Sequence, residues 1–315
     1  QMSKLLTQMR EHLRMKNYSY RTEETYIGWV VRYIRFHNTQ HPKDLTAKDV
    51  EDFLTHLAKN NVAPSTQNQA FSAILYLYKN ILGIELTGIN ALRARERTRL
   101  PHVLSHDDAL KVINDMSGDT KLMTQLLYGS GLRLMECLRL RVKDIDFAHK
   151  KIIVREGKGD KDRATILPDA LVSRLKDHLQ HIKALHEYDV KVGNRVSLPN
   201  ALDRKYKNAG REWGWFYLFP APSLSTDPRT GERKRHHVHE INLQRAIKAA
   251  AATAKVQNVS PHVFRHSFAT RVLEKAKNKI AALQQLKEWM GHNSIQTTQI
   301  YLHFIESDVA SPLDD

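Results

Sequence analysis

The sequence is poor in cysteine and contains no long apolar runs. Its single cysteine, Cys137, excludes an internal disulfide and is typical of a protein from a reducing cytosol. Because Cys137 lies in an apolar helical context, we interpret it as a buried structural thiol. No apolar run approaches the length of a membrane span, and the first residues contain no signal-peptide core. We therefore expect no membrane association.

Acidic residues are outnumbered by basic ones in this chain of 315 residues. Lys and Arg number 49 against 34 Asp and Glu, which gives a formal net charge of +15. Such an excess is not needed for folding and favours a polyanionic partner. A membrane surface is the competing partner, but no basic amphipathic helix stands out as an anchor. The length and the apolar content of 41% predict sizeable cores in two domains.

One stretch near the C-terminus carries the residue types of a phosphodiester-cleaving centre. Ser260-Pro261 predicts a helix start, because the hydroxyl caps free backbone amides and proline tolerates the first helical position. His262 and Arg265 then share one helix face. His292 follows, and Tyr301 comes nine residues after it. A tyrosine hydroxyl can attack phosphorus, an arginine can bind the non-bridging oxygens, and histidines can handle protons and hydrogen bonds.

This ordered set resembles the tyrosine recombinase (phage integrase) family. His-x-x-Arg, then Gly-His, then a tyrosine nine residues later is similar to that family's pattern. Upstream, a Gly-Leu-Arg-x-x-Glu segment resembles its first arginine box, and a polar hairpin turn at 157–162 resembles the turn that carries its catalytic lysine. The resemblance implies six catalytic residues, which are Arg133, Lys158, His262, Arg265, His292 and Tyr301. Lys161 is the rival to Lys158, and we interpret Glu136 as a structural support for Arg133.

The resemblance also implies a reaction. Tyr301 attacks a DNA phosphorus, which forms a 3′-phosphotyrosyl link and releases a 5′-hydroxyl. Arg133 and Arg265, helped by His292, stabilise the transition state. Lys158 protonates the leaving oxygen, and His262 assists proton transfer at the tyrosine. Because the phosphoester energy stays in the protein link, no cofactor is expected. We expect a tetramer on the DNA synapse and a bacterial cytoplasmic, nucleoid-associated location.

A histidine-rich cluster at 236–240 raises the question of a metal site. Zinc favours well-spaced ligands, usually with cysteine or in a His-Glu-x-x-His helix. Neither arrangement occurs in the sequence, so we expect no metal.

Apolar spacing and turn signals predict a mainly α fold with a small β-sheet. Residues 2–84 read as an N-terminal helical bundle that binds DNA, and residues 85–102, with alternating arginines, read as a basic linker. Residues 103–315 form the larger α+β catalytic domain, with predicted strands at 151–156 and 163–167. In the family that this chain resembles, two such domains close around DNA like a clamp.

An added segment at about 190–216 resembles that of integron integrases. Basic residues interleaved with aromatics are suited to holding unstacked bases. Substrates of that subfamily include folded single strands bearing extrahelical bases, so the resemblance implies insertion and excision of gene cassettes. The candidate DNA-binding residues in and after this segment are Trp213, Trp215, Pro228, His236, His237, Arg204 and Lys205. Each of the two tryptophans is about equally well explained as a core residue flanking a strand.

Three other functions stay open at this point. One is a phage- or transposon-type integrase that acts on duplex sites only. The others are a metal-dependent nuclease and a catalytically silent DNA-binding architectural protein. The tail at 302–315 either docks as a helix into a neighbouring protomer or forms a disordered end.

Overall fold

The chain divides into two compact units in a computed structural model, Gln1–Arg99 and Leu100–Asp315. The structure describes residues 2–88, 94, 100–155, 162–199, 202, 206 and 208–305. Helices dominate both units, and two small antiparallel sheets lie in the second, so the predicted mainly α fold is confirmed. Within the described residues, helices are too short or too polar to cross a bilayer.

Helices packed side by side make up the first unit. Their bounds are α1 Met2–Met15, α2 Tyr20–Phe36, α3 Ala47–Lys59 and α4 Pro64–Tyr76, the last extended by a π-helical turn at Leu77–Leu82. Capping explains two of the starts. The Ser19 hydroxyl accepts from the Thr22 amide at 3.1 Å, and the Asp49 carboxylate accepts from the Thr46 amide at 2.7 Å.

Aromatic residues fill the core of this unit. Trp29 and Tyr33 are buried, as their helical spacing predicts. The hydroxyls of Tyr33 and Tyr78 lie 3.0 Å apart, and Tyr78 donates to the Pro42 carbonyl at 2.8 Å. Because a buried hydroxyl is costly without a partner, these bonds fix how the helices pack.

The second unit combines helices with two sheets. Its helices are α5 His106–Asn114, α6 Gly118–Ser130, α7 Leu134–Arg139, α8 Val172–Lys191, α9 Glu240–Thr253, α10 Pro261–Lys275, α11 Lys279–Met290 and α12 Ile295–Gln299. Its strands are β1 Ile145–Asp146, β2 Lys151–Val154, β3 Arg163–Ile166, β4 Pro220–Thr226 and β5 Arg233–His237. Strand β2 pairs antiparallel with β1 and β3, and Val154 lies opposite Arg163. Strands β4 and β5 form a separate antiparallel pair with an irregular register.

The packing of α6 against α10 positions the candidate site. Leu126 and Leu127 of α6 and Phe264 of α10 are fully buried in one hydrophobic cluster. Gly131 ends α6 with a φ of 66°, and a Cβ atom there would collide with the Phe268 ring. Only glycine lets the two helices approach this closely at that point. The chain therefore turns directly beside α10 before α7 begins.

Candidate active site

Arg133 stands at the start of α7, immediately after the Gly131 turn. Its backbone amide donates to Glu136 Oε2 at 2.8 Å, and its Nη1 donates to Glu136 Oε1 at 2.7 Å. Glu136 therefore caps the helix and orients the guanidinium with one carboxylate. About a quarter of the Arg133 side chain stays exposed, which leaves it accessible to an anionic ligand.

Arg265 lies on the buried face of α10, one turn after the Ser260 cap. Its Nη2 donates to the Met290 carbonyl at 2.6 Å, and its Nη1 donates to the Gly131 carbonyl. Burial, followed by the charge of Arg133, lowers the pKa of Arg265 to about 10, so the guanidinium remains charged at neutral pH. His262, three residues earlier, is exposed at the helix start.

His292 follows Gly291, which ends α11 in the left-handed conformation with a φ of 63°. The imidazole Nδ1 lies 2.9 Å from the Thr298 hydroxyl, which fixes the ring orientation. Burial and then the charges of Arg265 and Arg133 lower the pKa of His292 to about 4. The ring is therefore neutral at physiological pH and offers a neutral hydrogen-bonding edge.

Tyr301 lies in a short 3-10 helix at Ile300–Phe304, which follows α12. The ring is 1% exposed and stacks roughly parallel to His292, with the ring centroids 6.4 Å apart. Burial raises the pKa of Tyr301 to about 12, and the charges of Arg265 and Arg133 oppose that rise. The phenol is therefore protonated at pH 7, and a nearby acceptor is needed before it can attack phosphorus.

That acceptor is His266, which the sequence interpretation did not include. Its Nδ1 lies 2.8 Å from Tyr301 Oη. Burial, then the charges of His262 and Arg265, lower the pKa of His266 to about 4, so the ring is neutral at pH 7. In the tautomer protonated at Nε2, its Nδ1 accepts the hydrogen bond from the phenol. The sequence interpretation gave assistance at the phenol to His262, whereas among the described residues His266 is the histidine that hydrogen-bonds to the Tyr301 hydroxyl. Its position four residues after His262, on the same helix face, was the available signal.

Lys158 and its rival Lys161 lie outside the described residues, as do Arg204 and Lys205 of the added segment. The five other predicted catalytic residues occupy one part of the second unit. The charges of Arg265 and Arg133 act on the pKa values of His292 and Tyr301. Burial is the main cause of the lowered pKa of His262, and the same two arginine charges lower it further.

Three of the candidate base-recognition residues line a single cavity of about 540 Å³. They are Trp215, His236 and His237, and Arg133 lines the same cavity. Other basic residues along its wall are Arg139, Arg141, Arg155 and Arg229. Burial, then the charge of Arg141, lowers the pKa of His236, and burial lowers that of His237 to about 4. Both rings are therefore neutral at pH 7 beside a strongly basic wall.

The remaining candidates lie elsewhere. Trp213 stacks on Phe216 at a centroid distance of 6.1 Å and packs against His186, so it belongs to a small hydrophobic cluster. Pro228 is exposed in the turn between β4 and β5. Both tryptophans are half-buried and pack against this cluster, but of the two only Trp215 also lines the cavity.

Two family models cover most of the chain. The model described as phage integrase, N-terminal SAM-like domain matches residues 5–88, and the model of the phage integrase family matches residues 102–307. The chain belongs to the tyrosine recombinase (phage integrase) family. This membership favours a recombinase over the nuclease and architectural alternatives.

Known relatives of this recombinase carry matching descriptions. It is 42% identical to an integrase/recombinase of Escherichia coli, over 99% of this chain and 93% of the relative. It is 27% identical to the tyrosine recombinase XerD of Rickettsia bellii, over 82% of this chain and 80% of the relative. The recombinase is therefore an enzyme of site-specific DNA strand exchange.

Solved structures share its fold. A lambda integrase tetramer bound to a Holliday junction has a TM-score of 0.64 at 13% identity, covering 98% of this chain and 80% of that one. A lambda integrase dimer bound to a COC′ core site has a TM-score of 0.62 at 15% identity, covering 98% and 99%. At these identities the likeness concerns the fold alone.

Proposed function

We propose that this recombinase cuts and rejoins DNA through a 3′-phosphotyrosyl intermediate on Tyr301, and that it acts as an integron integrase on folded single-stranded sites. The observation that carries the chemistry is the Tyr301–His266 hydrogen bond beside two arginines. The observation that supports the substrate is the aromatic and basic cavity that shares Arg133 with this centre.

The cleavage step begins with a proton transfer. The phenol proton of Tyr301 moves to Nδ1 of His266, and the phenolate oxygen forms a bond to phosphorus while the bond to the 5′ oxygen breaks. The departing oxygen takes a proton from Lys158, the role that the family resemblance assigns to that position. Rejoining runs the same exchange in reverse with a 5′-hydroxyl of the partner strand, so no external energy source enters.

Charge on the five-coordinate phosphorus is balanced by cations fixed before DNA arrives. Arg133 and Arg265 donate to the non-bridging oxygens, and His292 adds a hydrogen bond. His262, exposed at the start of α10, donates from the solvent side. Because burial already removes much of the water around Arg265, the interaction with phosphate is stronger than at an open surface.

The cavity lined by Trp215, His236 and His237 takes an extrahelical base. An aromatic ring gives a stacking surface for any base, and neutral imidazoles provide donors and acceptors for its edge. The position of Trp215 is fixed by two contacts, because the Lys143 ammonium lies 2.8 Å from its ring centroid and Arg141 donates to its carbonyl at 2.9 Å. The exposed arginines along the wall, Arg139, Arg155 and Arg229, bind the phosphates on either side.

A binding comparison tests this substrate assignment. We expect tighter binding and faster cleavage of a folded single strand than of its perfect duplex. Trp215→Leu should lower affinity for the folded strand by roughly 10-fold, because one stacked base contributes about 1–3 kcal/mol. Trp213→Leu is the matched control and should leave the preference unchanged.

If the unaltered protein binds the folded strand and the duplex with equal affinity and cleaves them at equal rates, this assignment is wrong. The phage- or transposon-type integrase that acts on duplex sites only would then be the better description. A loss of preference in Trp213→Leu, with Trp215→Leu unaffected, would place the base outside this cavity.

His266→Phe tests the proton transfer. Because the phenol pKa is about 12, loss of its acceptor should lower the rate of covalent adduct formation at pH 7 by roughly 100-fold. In this variant the rate should then rise with pH as the phenolate fraction grows. Single-turnover cleavage followed between pH 6 and about 10 measures both effects.

The matched control is His106→Phe, since His106 Nδ1 makes an equivalent 2.8 Å hydrogen bond to the Tyr128 hydroxyl. It should cleave at the unaltered rate. A His266→Phe protein that matches this control, with no added dependence on pH, would show that another group takes the proton.

Assembly completes the proposal. The N-terminal and catalytic domains both bind DNA, and four protomers exchange strands at the synapse to insert or excise gene cassettes. The tetrameric lambda integrase of the same fold supports this arrangement. The tail at 306–315 lies outside the described residues, and its docking stays a prediction.

A further inference from the structure

The end of helix α11 meets a row of arginines. Three guanidiniums donate to three successive carbonyls: Arg163 Nε to Trp289 at 2.9 Å, Arg265 Nη2 to Met290 at 2.6 Å, and Arg133 Nη2 to Gly291 at 3.3 Å. The last carbonyls of a helix have no partner within it and form its negative end. These arginines therefore cap α11 while they line the candidate site.

One carboxylate binds the same arginines from the other side. Glu136 accepts from Arg163 Nη1 at 2.9 Å and from Arg163 Nη2 at 2.7 Å, in addition to its bonds with Arg133. Arg265 Nη1 lies 4.0 Å from Glu136 Oε2. Arg163 is thus the one residue of the described chain that bonds both to this carboxylate and to the Trp289 carbonyl.

We propose that Arg163 is a positioning residue of the recombinase. It holds Glu136, and through it the guanidinium of Arg133. It also holds the end of α11, and through it the turn that presents His292. Each of its guanidinium nitrogens is committed to Glu136 or Trp289, and its side chain is 10% exposed, so it acts through its neighbours. This inference rests on the proposed roles of Arg133 and His292.

Gly291 lies so close to the Arg163 side chain that a larger residue would not fit. A Cβ atom on Gly291 would lie 2.9 Å from Arg163 Cδ and 3.1 Å from its Nε, and the φ of 63° already disfavours other residues. The turn before His292 therefore leaves space for the Arg163 side chain. Gly291→Ala should displace Arg163 without changing a charged group.

Arg163 also controls the charge of Glu136. Burial alone would raise the pKa of Glu136, but hydrogen bonds and charge from Arg163, then those from Arg133, bring it down to about 2 from 4.5. A carboxylate with a depressed folded-state pKa stabilises the fold above its unfolded pKa and loses that contribution as pH falls toward the folded value. Without Arg163 the pKa of Glu136 rises, so activity should be lost at a higher pH on the acid side.

The test compares Arg163→Lys and Arg163→Gln with Arg133→Ala. Cleavage is measured on an ordinary phosphodiester and on a methylphosphonate, which lacks one anionic oxygen. Because small misplacements of catalytic groups cost on the order of 100-fold, Arg163→Gln should slow phosphodiester cleavage by about that factor. Arg163→Gln should slow methylphosphonate cleavage less than phosphodiester cleavage, and Arg133→Ala should show the same difference. The cleavage rates of Arg163→Lys should lie between those of Arg163→Gln and the unaltered protein, because lysine keeps the charge but cannot form the bidentate pair.

The matched control is Arg195→Lys, since Arg195 forms a bidentate pair with Glu232, at 2.7 Å from Nε and 2.7 Å from Nη2, outside the candidate site. This variant should cleave both the phosphodiester and the methylphosphonate at the unaltered rates, and it should lose activity at the same acid pH as the unaltered protein. If Arg163→Gln does not fold, Arg163→Lys and Gly291→Ala decide the matter, with Tm and DNA affinity measured alongside.

Two results separate the possible failures. If Arg163 variants slow both substrates equally, or match the unaltered protein, while Arg133→Ala favours the methylphosphonate, the positioning role is wrong and the proposed site stands. If Arg133→Ala itself changes neither rate, the proposed roles of the site residues are wrong.

Discussion

Tyr301→Phe should abolish covalent capture of DNA while leaving DNA binding intact. The change removes only the phenol oxygen, which is the atom that bonds to phosphorus. The ring stays packed with Phe268, Leu286 and Met290. Loss of the hydrogen bond to His266 should lower the free energy of unfolding by only about 1 kcal/mol, so the protein should still fold. A substrate nicked near the cleavage point, which traps the adduct, reports capture on a denaturing gel.

The matched control is Tyr128→Phe. Tyr128 is also partly buried and hydrogen-bonded to a histidine, His106, but it lies outside the arginine cluster. This variant should capture DNA normally. An adduct that persists in Tyr301→Phe would show that a different residue is the nucleophile.

Arg265→Lys should lower the rate of adduct formation by roughly 1,000-fold, since removal of one preorganised donor to a developing oxyanion costs about 100- to 1,000-fold. Lysine keeps the charge but cannot reach both the Gly131 and the Met290 carbonyls while it also faces phosphate. The buried carbonyls would then lack partners, which moves the end of α11 as well. Single-turnover cleavage with saturating enzyme isolates this step from DNA affinity.

Arg271→Lys on the same helix serves as the control. Arg271 is partly exposed and pairs with Glu274 at 3.1 Å, so its replacement should leave the cleavage rate unchanged. Arg265→Lys activity close to that of Arg271→Lys would mean that Arg265 does not contact the reacting phosphate.

The proposed catalytic residues could be singled out from sequence because their types and order are typical of one chemistry, and their catalytic roles stay a prediction. Arg133, Arg265, His292 and Tyr301 each occupy a motif position that local spacing defines. His266 was missed because the motif names the first histidine of the pair, whereas the hydrogen bond depends on which face of α10 meets Tyr301. That contact joins residues 35 positions apart and is set by packing.

The two tryptophans show a different limit. Trp213 and Trp215 are separated by one residue in a basic, aromatic segment, so composition alone could not distinguish a base-binding tryptophan from a core one. The short 3-10 turn at Trp213–Trp215 directs one ring onto Phe216 and the other into the cavity wall. Side-chain direction in an irregular turn follows from the surrounding fold, which no periodicity reveals.

Arg163 could not have been found from sequence at all. In the sequence it is one of two basic residues flanking a predicted turn, and its partners are a backbone carbonyl 126 residues away and a carboxylate 27 residues away. Backbone carbonyls at a helix end carry no residue signature. The overall architecture could be predicted because apolar spacing indicates helices. Hydrogen bonds to distant backbone carbonyls could not be predicted, because they depend on the tertiary packing.

The central claim is that Tyr301 becomes joined to the 3′ phosphate of the cleaved strand. Digesting the trapped adduct with protease and nuclease, then sequencing the modified peptide by mass spectrometry, identifies both the residue and the DNA end. We expect a nucleotide 3′-phosphate on Tyr301 together with a free 5′-hydroxyl on the other fragment. A nucleotide on another residue, or a 5′-phosphate linkage, would contradict the account.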